Sequence, residues 1–237
     1  ARTERLNAAR LDRAFEATHT TSPAGSIMAS IDAARALLAQ DGEELCGRLL
    51  TLISMARKRL RQVPGVGVLD GPGVEPTKLV VLIAGTGAYG YTIENDLVAA
   101  GMPVESADRD TIVPIITLAD DEGSVDAFLD VLIASIERHR TTPRQPGVAA
   151  SWTVIPEVVM SPRDAFFADN ETVDADAAVG RVSAELIAPY PPGVPVLAPG
   201  ELITAEALDS LREIKADGGR IAYAADPSLA TLQVIVR

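Results

Sequence analysis

The stretch Pro189–Glu201, which reads Pro-Tyr-Pro-Pro-Gly-Val-Pro-Val-Leu-Ala-Pro-Gly-Glu, limits how the last part of this chain can fold. Its prolines fix φ and remove backbone donors, so we expect a stiff, extended edge that cannot lie in the middle of a helix or a sheet. Pro199-Gly200 predicts a turn, because proline suits its second position and glycine suits a position with positive φ. Tyr190 and Glu201 carry the strong polar groups of this edge. A carboxylate presented there would suit a small cationic ligand, although most proline-rich loops are plain connectors.

The composition describes an acidic, globular chain. Its 237 residues are 47% hydrophobic, which is enough for one large domain or two modest ones. The 21 basic and 33 acidic residues give a net charge of -12, which disfavours nucleic acid and membrane partners. Cys46 is the only cysteine, and we find no signal-like segment near the N-terminus and no long apolar span, so we expect a cytoplasmic location. His19 and His139 have no Cys or His neighbour at ligand spacing, and no metal site is predicted.

Apolar periodicity predicts helices in the first part of the chain. Ser22-Pro23 provides a cap residue followed by proline at the first helical position, which predicts a helix over residues 23–40. Asp41-Gly42 is predicted to break the chain before a second amphipathic helix. The two apolar stripes are Ile27, Ile31, Ala34 and Leu38, and Leu45, Leu49, Leu52, Ala56 and Leu60. The basic run Arg57–Arg61 lies at the second helix end, where cations complement the dipole, and we interpret it as structural.

The rest of the chain is predicted to form an α/β layer and then a smaller α+β unit. In the layer, strands are predicted at residues 66–69, 79–84 and 112–118. Helices are predicted at residues 92–100 and, with Ser124 as the cap, to about residue 136. Residues 138–151 lack apolar periodicity, so we place a domain boundary there, between residues 1–150 and residues 151–237. In the second unit, helices are predicted to begin at Ser161-Pro162, at Asp174 (to about Leu186) and at Thr204, with closing strands at 220–223 and 231–236.

Hydroxyl groups cluster before the helix predicted at residue 23. The side chains of Thr20, Thr21 and Ser22 and their backbone amides face the positive end of the helix dipole, where a phosphate binds favourably. Simple N-capping is the commoner role of such residues. The residues alone do not separate the two roles.

A glycine-rich loop matches the dinucleotide-binding fingerprint in spacing. Gly85, Gly87 and Gly90 follow a predicted strand and precede a predicted helix, and Glu105 stands where an acid could hold a ribose hydroxyl. The loop lies far into the chain, its helix is short, and no regular series of parallel units follows. Dinucleotide binding is therefore the weaker alternative.

Four blocks of sequence, in the same order, resemble the bacterial ornithine/lysine/arginine decarboxylases. The blocks are His19–Pro23 with Ala29–Arg35, then Glu75–Val81, then Ser161–Ala168 with Val179–Glu185, and finally Pro189–Glu201. The resemblance implies an aspartate aminotransferase-like α/β fold. Residues 1–150 would hold the end of the large cofactor domain and a small α/β domain, and residues 151–237 a C-terminal α+β domain.

The same resemblance implies a cofactor and a substrate class. The family uses pyridoxal 5'-phosphate (PLP), which forms a Schiff base with a lysine and withdraws electrons, so that the substrate loses its α-carboxylate as carbon dioxide. Thr21 and Ser22 would help hold the cofactor phosphate, in the neighbouring subunit of a dimer. Tyr190 and Glu201 would line the substrate entrance, where a carboxylate can pair with the distal cation of arginine, lysine or ornithine. Such a lyase would serve polyamine biosynthesis.

The lysine that this family uses does not occur in this sequence. In the family it follows Ser-x-His, upstream of the Thr-Thr-Ser-Pro block, whereas Lys58, Lys78 and Lys215 do not follow a histidine. We therefore predict the C-terminal half of a decarboxylase, as a fragment or as a piece of a split or cleaved enzyme. It would be inactive without a missing N-terminal portion and would assemble as a homodimer or a higher oligomer. The alternatives are a non-catalytic binding or regulatory module of this family and the dinucleotide-binding enzyme.

Overall fold

The computed structural model describes residues 6–147, 154–190 and 193–236. Its contacts divide the chain into two compact units, Ala1–Gly47 and Arg48–Arg237. The helices are α1 (Ala8–Thr18), α2 (Gly25–Leu60), α3 (Gly90–Ala99), α4 (Glu122–Arg138), α5 (Pro162–Phe167), α6 (Ala175–Ala178) and α7 (Ala205–Ala216), with a 3-10 turn at Ala84–Thr86. The strands are β1 (Gly67–Val68), β2 (Val81–Leu82), β3 (Ser106–Ala107), β4 (Thr111–Val113), β5 (Asn170–Asp174), β6 (Ala188–Tyr190), β7 (Arg220–Ala222) and β8 (Thr231–Ile235).

The first unit consists of α1 and the first turns of α2. Asn7 caps α1, because its side chain accepts a hydrogen bond from the backbone N–H of Arg10 at 3.0 Å. Helix α2 begins at Gly25, so Ser22 lies before the helix and the prediction that it is the cap residue is wrong. No residue of α1 is buried, and neither is any residue of α2 before Leu49.

Helix α2 runs through Asp41-Gly42 without a break, so the predicted division into two helices is wrong. A single glycine inside a helix costs only about 1 kcal/mol relative to alanine, and the apolar stripe stays in phase across it. The basic run at the end of α2 is structural, as predicted. Arg57 donates to the carbonyl oxygen of Lys78 at 2.9 Å, and Arg61 forms an ion pair with Asp70 at 2.7 Å.

A four-stranded antiparallel sheet and the helices α3 and α4 build the first core of the second unit. The strand order is β1-β2-β4-β3, and Ile112 of β4 pairs with Val81 on one side and with Ala107 on the other. The buried core residues come from the end of α2, from the sheet and from both helices. Asp121, and not Ser124, is the N-cap of α4, although Ser124 completes the capping box.

A second core lies towards the end of the chain, between two small antiparallel sheets and the helices α6 and α7. Strand β5 pairs with β8, and β6 pairs with β7. Ser161 caps α5 and Thr204 caps α7, both as predicted. The helix predicted to run from Asp174 to about Leu186 is wrong, since α6 has only four residues. Gly180 then takes a φ of +81°, which turns the chain out of helical geometry.

The architecture mixes helices and sheets in an α/β-like arrangement, as expected, but every strand pair among the described residues is antiparallel. The boundary predicted near residue 150 falls within residues 148–153, outside the described residues, and stays a prediction. Of the helices in the described ranges, none combines the length and the apolar character that a bilayer span requires.

Candidate functional site

The turn predicted at Pro199-Gly200 is present. Gly200 has a φ of +93°, and the backbone N–H of Glu201 donates to the carbonyl oxygen of Ala198 at 3.1 Å. A Cβ on Gly200 would also collide with the carbonyl oxygen of Met160, so the turn needs glycine for two reasons. The predicted turn is therefore confirmed. It could be predicted because proline and glycine encode it within four residues.

The carboxylate of Glu201 folds back over its own turn. Its Oε2 atom accepts a hydrogen bond from the backbone N–H of Ala198 at 2.7 Å, and the residue is half-buried. No residue that the structure describes donates to the other carboxylate oxygen. Glu201 therefore has one oxygen committed to the turn, which fixes the side chain, and a second oxygen that can accept from a cation.

The backbone at Glu201 is held from two sides. Val158 forms an antiparallel bridge with Glu201, so the two side chains point to the same face, and Val158 is 63% exposed. On the other side, the N–H of Ser183 donates to the carbonyl oxygen of Glu201 at 2.8 Å, and the N–H of Gly200 donates to Ser183 at 2.9 Å. These contacts place a rigid, half-exposed carboxylate beside an exposed apolar side chain.

Tyr190 ends strand β6 and is exposed over 45% of its surface. It pairs with Arg220 of β7, whose guanidinium carbon lies 5.4 Å from the centre of the tyrosine ring, within cation–π range. Sequence analysis missed Arg220, because only the strand register brings it to Tyr190. Gly193 has a φ of +88°, and its N–H donates to the carbonyl oxygen of Pro189 at 3.0 Å.

The proline-rich stretch is less extended than expected. Pro189 lies inside strand β6, which is tolerated because a two-stranded sheet has only edge strands and a missing N–H can face outwards. Ile187 then pairs with Leu197, since its N–H donates to the carbonyl oxygen of Leu197 at 2.8 Å. The two ends of this stretch are therefore hydrogen-bonded to each other. Pro191 and Pro192 lie outside the described residues.

Thr21 and Ser22 lie in the exposed connection between α1 and α2, in the first unit. The N–H of Ser22 donates to the hydroxyl oxygen of Thr20 at 3.1 Å. Tyr190 and Glu201 belong to the second unit, where Tyr190 contacts Arg220 and Glu201 contacts Ala198, and no described contact joins Tyr190 to Glu201.

A PLP site needs groups that bind the cofactor phosphate and a lysine that binds its aldehyde carbon. The exposed hydroxyl groups of Thr21 and Ser22 can donate to a phosphate, as the resemblance implies. The lysines do not match the Schiff-base lysine of the family, since Lys58, Lys78 and Lys215 do not follow a histidine, and the Nζ of Lys215 donates to the carbonyl oxygen of Pro227. Within the described ranges, no group of three or more His, Cys, Asp or Glu side chains is arranged to hold a metal ion.

The glycine loop is not a dinucleotide site. A Cβ on Gly87 would lie 2.5 Å from the carbonyl oxygen of Thr142, and one on Gly90 would collide with the carbonyl oxygen of Asp108. Gly85 is packed against the backbone in the same way. These glycines make room for the chain itself rather than for a pyrophosphate, and the sheet beside them is antiparallel instead of the parallel sheet that the fingerprint requires.

Arg144 covers this loop and was missed by sequence analysis. Its guanidinium group donates to the carbonyl oxygens of Gly87 and Ala88, stacks 4.0 Å from the ring centre of Tyr89, and pairs with Asp110 at 2.9 Å. Burial acts to raise the pKa of the Asp110 carboxyl, but its hydrogen bonds outweigh burial and the pKa lies below its usual value. The cluster is structural, since the hydrogen bonds of Asp110 and of the terminal nitrogens of Arg144 are made within this chain, although the buried Nε of Arg144 has no partner among the described residues.

Known decarboxylases are similar in sequence to nearly the whole of this chain. Residues 147–217 match the family model described as Orn/Lys/Arg decarboxylase, C-terminal domain. The arginine decarboxylase of Halalkalibacterium halodurans is 34% identical, with 97% of this chain and 49% of the relative covered. The arginine decarboxylase of Bacillus subtilis is 31% identical, with 91% and 46% covered. The chain thus spans about half the length of these relatives.

Solved structures agree on the fold. The constitutive lysine decarboxylase of Escherichia coli superposes with a TM-score of 0.70 at 20% identity, over 100% of this chain and 46% of that one. Lysine decarboxylase A of Pseudomonas aeruginosa gives 0.73 at 19% identity, over 99% and 45%. The fold is that of the amino acid decarboxylases. The sequence matches identify the family within this class. The chain belongs to the Orn/Lys/Arg decarboxylase family and corresponds to a C-terminal portion of its members.

Proposed function

We propose that this chain supplies the C-terminal half of a PLP-dependent decarboxylase that converts a basic amino acid to its amine. The observation that carries the proposal is the match of 97% of this chain to 49% of an arginine decarboxylase, in a sequence without a lysine placed for the cofactor. The chain would be inactive alone. It would act with the polypeptide that carries the N-terminal half, within a cytoplasmic homodimer or higher oligomer.

The sequence matches favour arginine over lysine and ornithine as the substrate. The relatives named arginine decarboxylases match 97% and 91% of this chain, whereas the constitutive lysine decarboxylase of Escherichia coli matches 24% of it. A guanidinium group also suits a carboxylate with one free oxygen, because its N–H groups form directional, charge-assisted hydrogen bonds.

The proposed roles combine what the resemblance implies with the contacts of Tyr190 and Glu201. Bound PLP supplies the electron withdrawal that lets the α-carboxylate of the substrate leave as carbon dioxide. Thr21 and Ser22 bind the cofactor phosphate through their hydroxyl groups. Glu201 binds the distal cation of the substrate with its free oxygen while Ala198 holds the other oxygen in place. Tyr190 lines the entrance, and Arg220 restricts the orientation of its ring.

The first test combines this chain with a polypeptide carrying the N-terminal half of the family, PLP and arginine. We expect no agmatine from this chain alone and agmatine from the assembled pair. Failure of every assembled pair to decarboxylate arginine, lysine or ornithine would favour the non-catalytic module.

The second test replaces Glu201 by glutamine in the assembled enzyme. Glutamine keeps an oxygen for the N–H of Ala198, so the turn should persist, but the negative charge is lost. The measured quantity is the ratio of kcat/KM for arginine to kcat/KM for citrulline, a neutral analogue of arginine. We expect this ratio to fall about ten- to hundredfold, because one charge-assisted hydrogen bond is lost. Glu157→Gln, at an exposed neighbouring position, should leave the preference unchanged. An unchanged preference in Glu201→Gln would remove Glu201 from this role.

A further inference from the structure

The apolar stripe of α2 extends beyond the part of the helix that is buried. Ala56 and Leu60 are fully buried in the first core of the second unit. At 3.6 residues per turn, Ile27, Ile31 and Leu38 fall on the same face of the helix as these two residues. They are nevertheless 61%, 63% and 49% exposed. The first turns of α2 therefore present a core-type face that no described residue buries.

Helix α1 presents a similar face. Leu11 and Phe15 lie one turn apart and are 50% and 67% exposed, and no residue of α1 is buried. Single exposed apolar side chains are common on protein surfaces, but continuous stripes mark surfaces that contact another molecule. Helices of this kind gain most of their stability by packing the apolar face against a partner.

We propose that these stripes form a docking face for the polypeptide that carries the N-terminal half of the decarboxylase family. The docking face consists of Leu11, Phe15, Ile27, Ile31 and Leu38. This inference rests on the proposed function, because both treat the chain as one half of a decarboxylase. It adds the place where the two halves meet.

The length of the relatives identifies the occupant. The match to the arginine decarboxylase includes 97% of this chain but only 49% of the relative, so a polypeptide of about equal length accompanies these helices in the relative. This chain corresponds to the C-terminal portion, and in the relative the other half leads directly into the segment of α1 and α2. Covalent continuity makes that half the nearest surface able to cover the docking face.

Docking would also position the candidate phosphate-binding residues. Thr21 and Ser22 lie in the connection between α1 and α2, so each end of the connection is attached to part of the docking face. Anchoring both helices on the N-terminal half would fix the connection against that polypeptide. The hydroxyl groups of Thr21 and Ser22 would then be held in place for a cofactor phosphate, which the resemblance assigns to the neighbouring subunit of a dimer.

The test mixes this chain with the separately expressed, tagged N-terminal half of the Halalkalibacterium halodurans arginine decarboxylase. Ile31→Asp places a charge in the docking face, and Ala33→Asp places the same charge on the opposite, exposed face of α2. We expect the unaltered chain and Ala33→Asp to bind equally. Ile31→Asp should weaken binding at least about tenfold, because the carboxylate would be buried without a partner. Amides of residues 25–40 should also exchange hydrogen more slowly in the complex.

Three results would overturn the inference. They are no binding by the unaltered chain, equal binding by Ile31→Asp, and a self-association of this chain that Ile31→Asp abolishes while the N-terminal half does not bind. The last result would assign the docking face to a second copy. Because Ile31 is exposed, circular dichroism should report unchanged helix content in both variants.

Activity in the same samples separates this inference from the proposed function. A complex that depends on Ile31 but does not decarboxylate a basic amino acid with PLP would retain the docking face and remove the proposed function. An active complex whose formation ignores Ile31 would retain the function and remove the docking face.

Discussion

Glu185 illustrates how single residues of this chain hold its second core together. Its side chain is buried, and its two carboxylate oxygens accept hydrogen bonds from the backbone N–H groups of Ala225 and Gln233, at 2.6 and 2.7 Å. One carboxylate thereby ties strand β8 to the segment after β7. Although Glu185 belongs to a block that resembles the decarboxylases, its contacts indicate a structural role.

We predict that Glu185→Ala lowers the free energy of unfolding by about 2–4 kcal/mol, because the N–H groups of Ala225 and Gln233 lose their charged acceptor. Urea denaturation followed by circular dichroism measures the change. Glu157→Ala, at an exposed position, should change it by less than about 0.5 kcal/mol. If the two variants were equally stable, the hydrogen bonds of Glu185 would not contribute as argued.

The fate of individual site predictions depends on how local their signals are. The turn at Pro199-Gly200 was predicted, since proline and glycine encode it within four residues. The fold-back of Glu201 was not predicted, because it depends on a rotamer choice that the turn pattern leaves open. Arg144 could not be identified at all. Its partners lie 34 to 57 positions away, and only the folded backbone brings them together.

Among the secondary-structure elements, glycines proved the hardest to interpret from sequence. Gly42 was expected to end a helix, yet α2 passes through it, because the apolar stripe on both sides keeps one phase. Gly87 would face a pyrophosphate in the weaker, dinucleotide-binding alternative, but the chain packs on it. The sequence shows where a glycine allows unusual backbone conformations or close contacts. The packing of distant residues decides whether the chain uses either of them there.

These two glycines allow one paired prediction. A Cβ on Gly42 would meet only Leu38, at an ordinary 3.8 Å, so Gly42→Ala should raise the free energy of unfolding by about 0.5–1 kcal/mol through helix propensity. Gly87 has a φ of +74° and no room for a Cβ, so Gly87→Ala should lower it by about 2 kcal/mol or more. Thermal and urea unfolding measure both changes. A stable Gly87→Ala protein would mean that the loop is packed less tightly than described.

At the scale of the whole molecule, the mixture of helices and sheets was predictable but the strand pairing was not. Apolar runs locate most strands within a few residues, since burial of a continuous run is a local pattern. Whether neighbouring strands run parallel or antiparallel depends on contacts between distant residues. Strand β5, at Asn170–Asp174, was missed, because four of its five residues are exposed and it lacks the apolar pattern.

A charged cluster joins the two cores of the second unit. Asp110 is buried in the first core and accepts hydrogen bonds from Arg144 and from the N–H of Gly147, each at 2.9 Å. Its neighbour Arg109 pairs with it at 3.2 Å and reaches Glu213 of α7, in the second core, at 3.6 Å. Arg109 therefore links the Asp110 carboxylate of the first core to α7, which packs in the second core.

Acid should weaken the contacts of the Asp110 carboxylate in this cluster. Burial alone would raise the pKa of Asp110, but the hydrogen bonds from Gly147 and Arg144 lower it below the ordinary value of 3.8. A carboxyl whose folded-state pKa is depressed stabilises the fold above its unfolded-state pKa, and this contribution is lost as the pH falls through the folded-state value. We expect the free energy of unfolding to decrease below about pH 4, in part because Asp110 becomes protonated.

Asp110→Asn tests this origin of acid sensitivity. At pH 7 the variant should be less stable by about 2 kcal/mol, because the partly buried guanidinium of Arg144 loses its charged partner. Its stability should also depend less on pH below about pH 4, so that the two proteins converge in acid. Urea denaturation between pH 2 and pH 7 measures both effects, with Asp209→Asn, at an exposed position of α7, as the control. Parallel stability curves for Asp110→Asn and the unaltered chain would show that another carboxyl group governs acid unfolding.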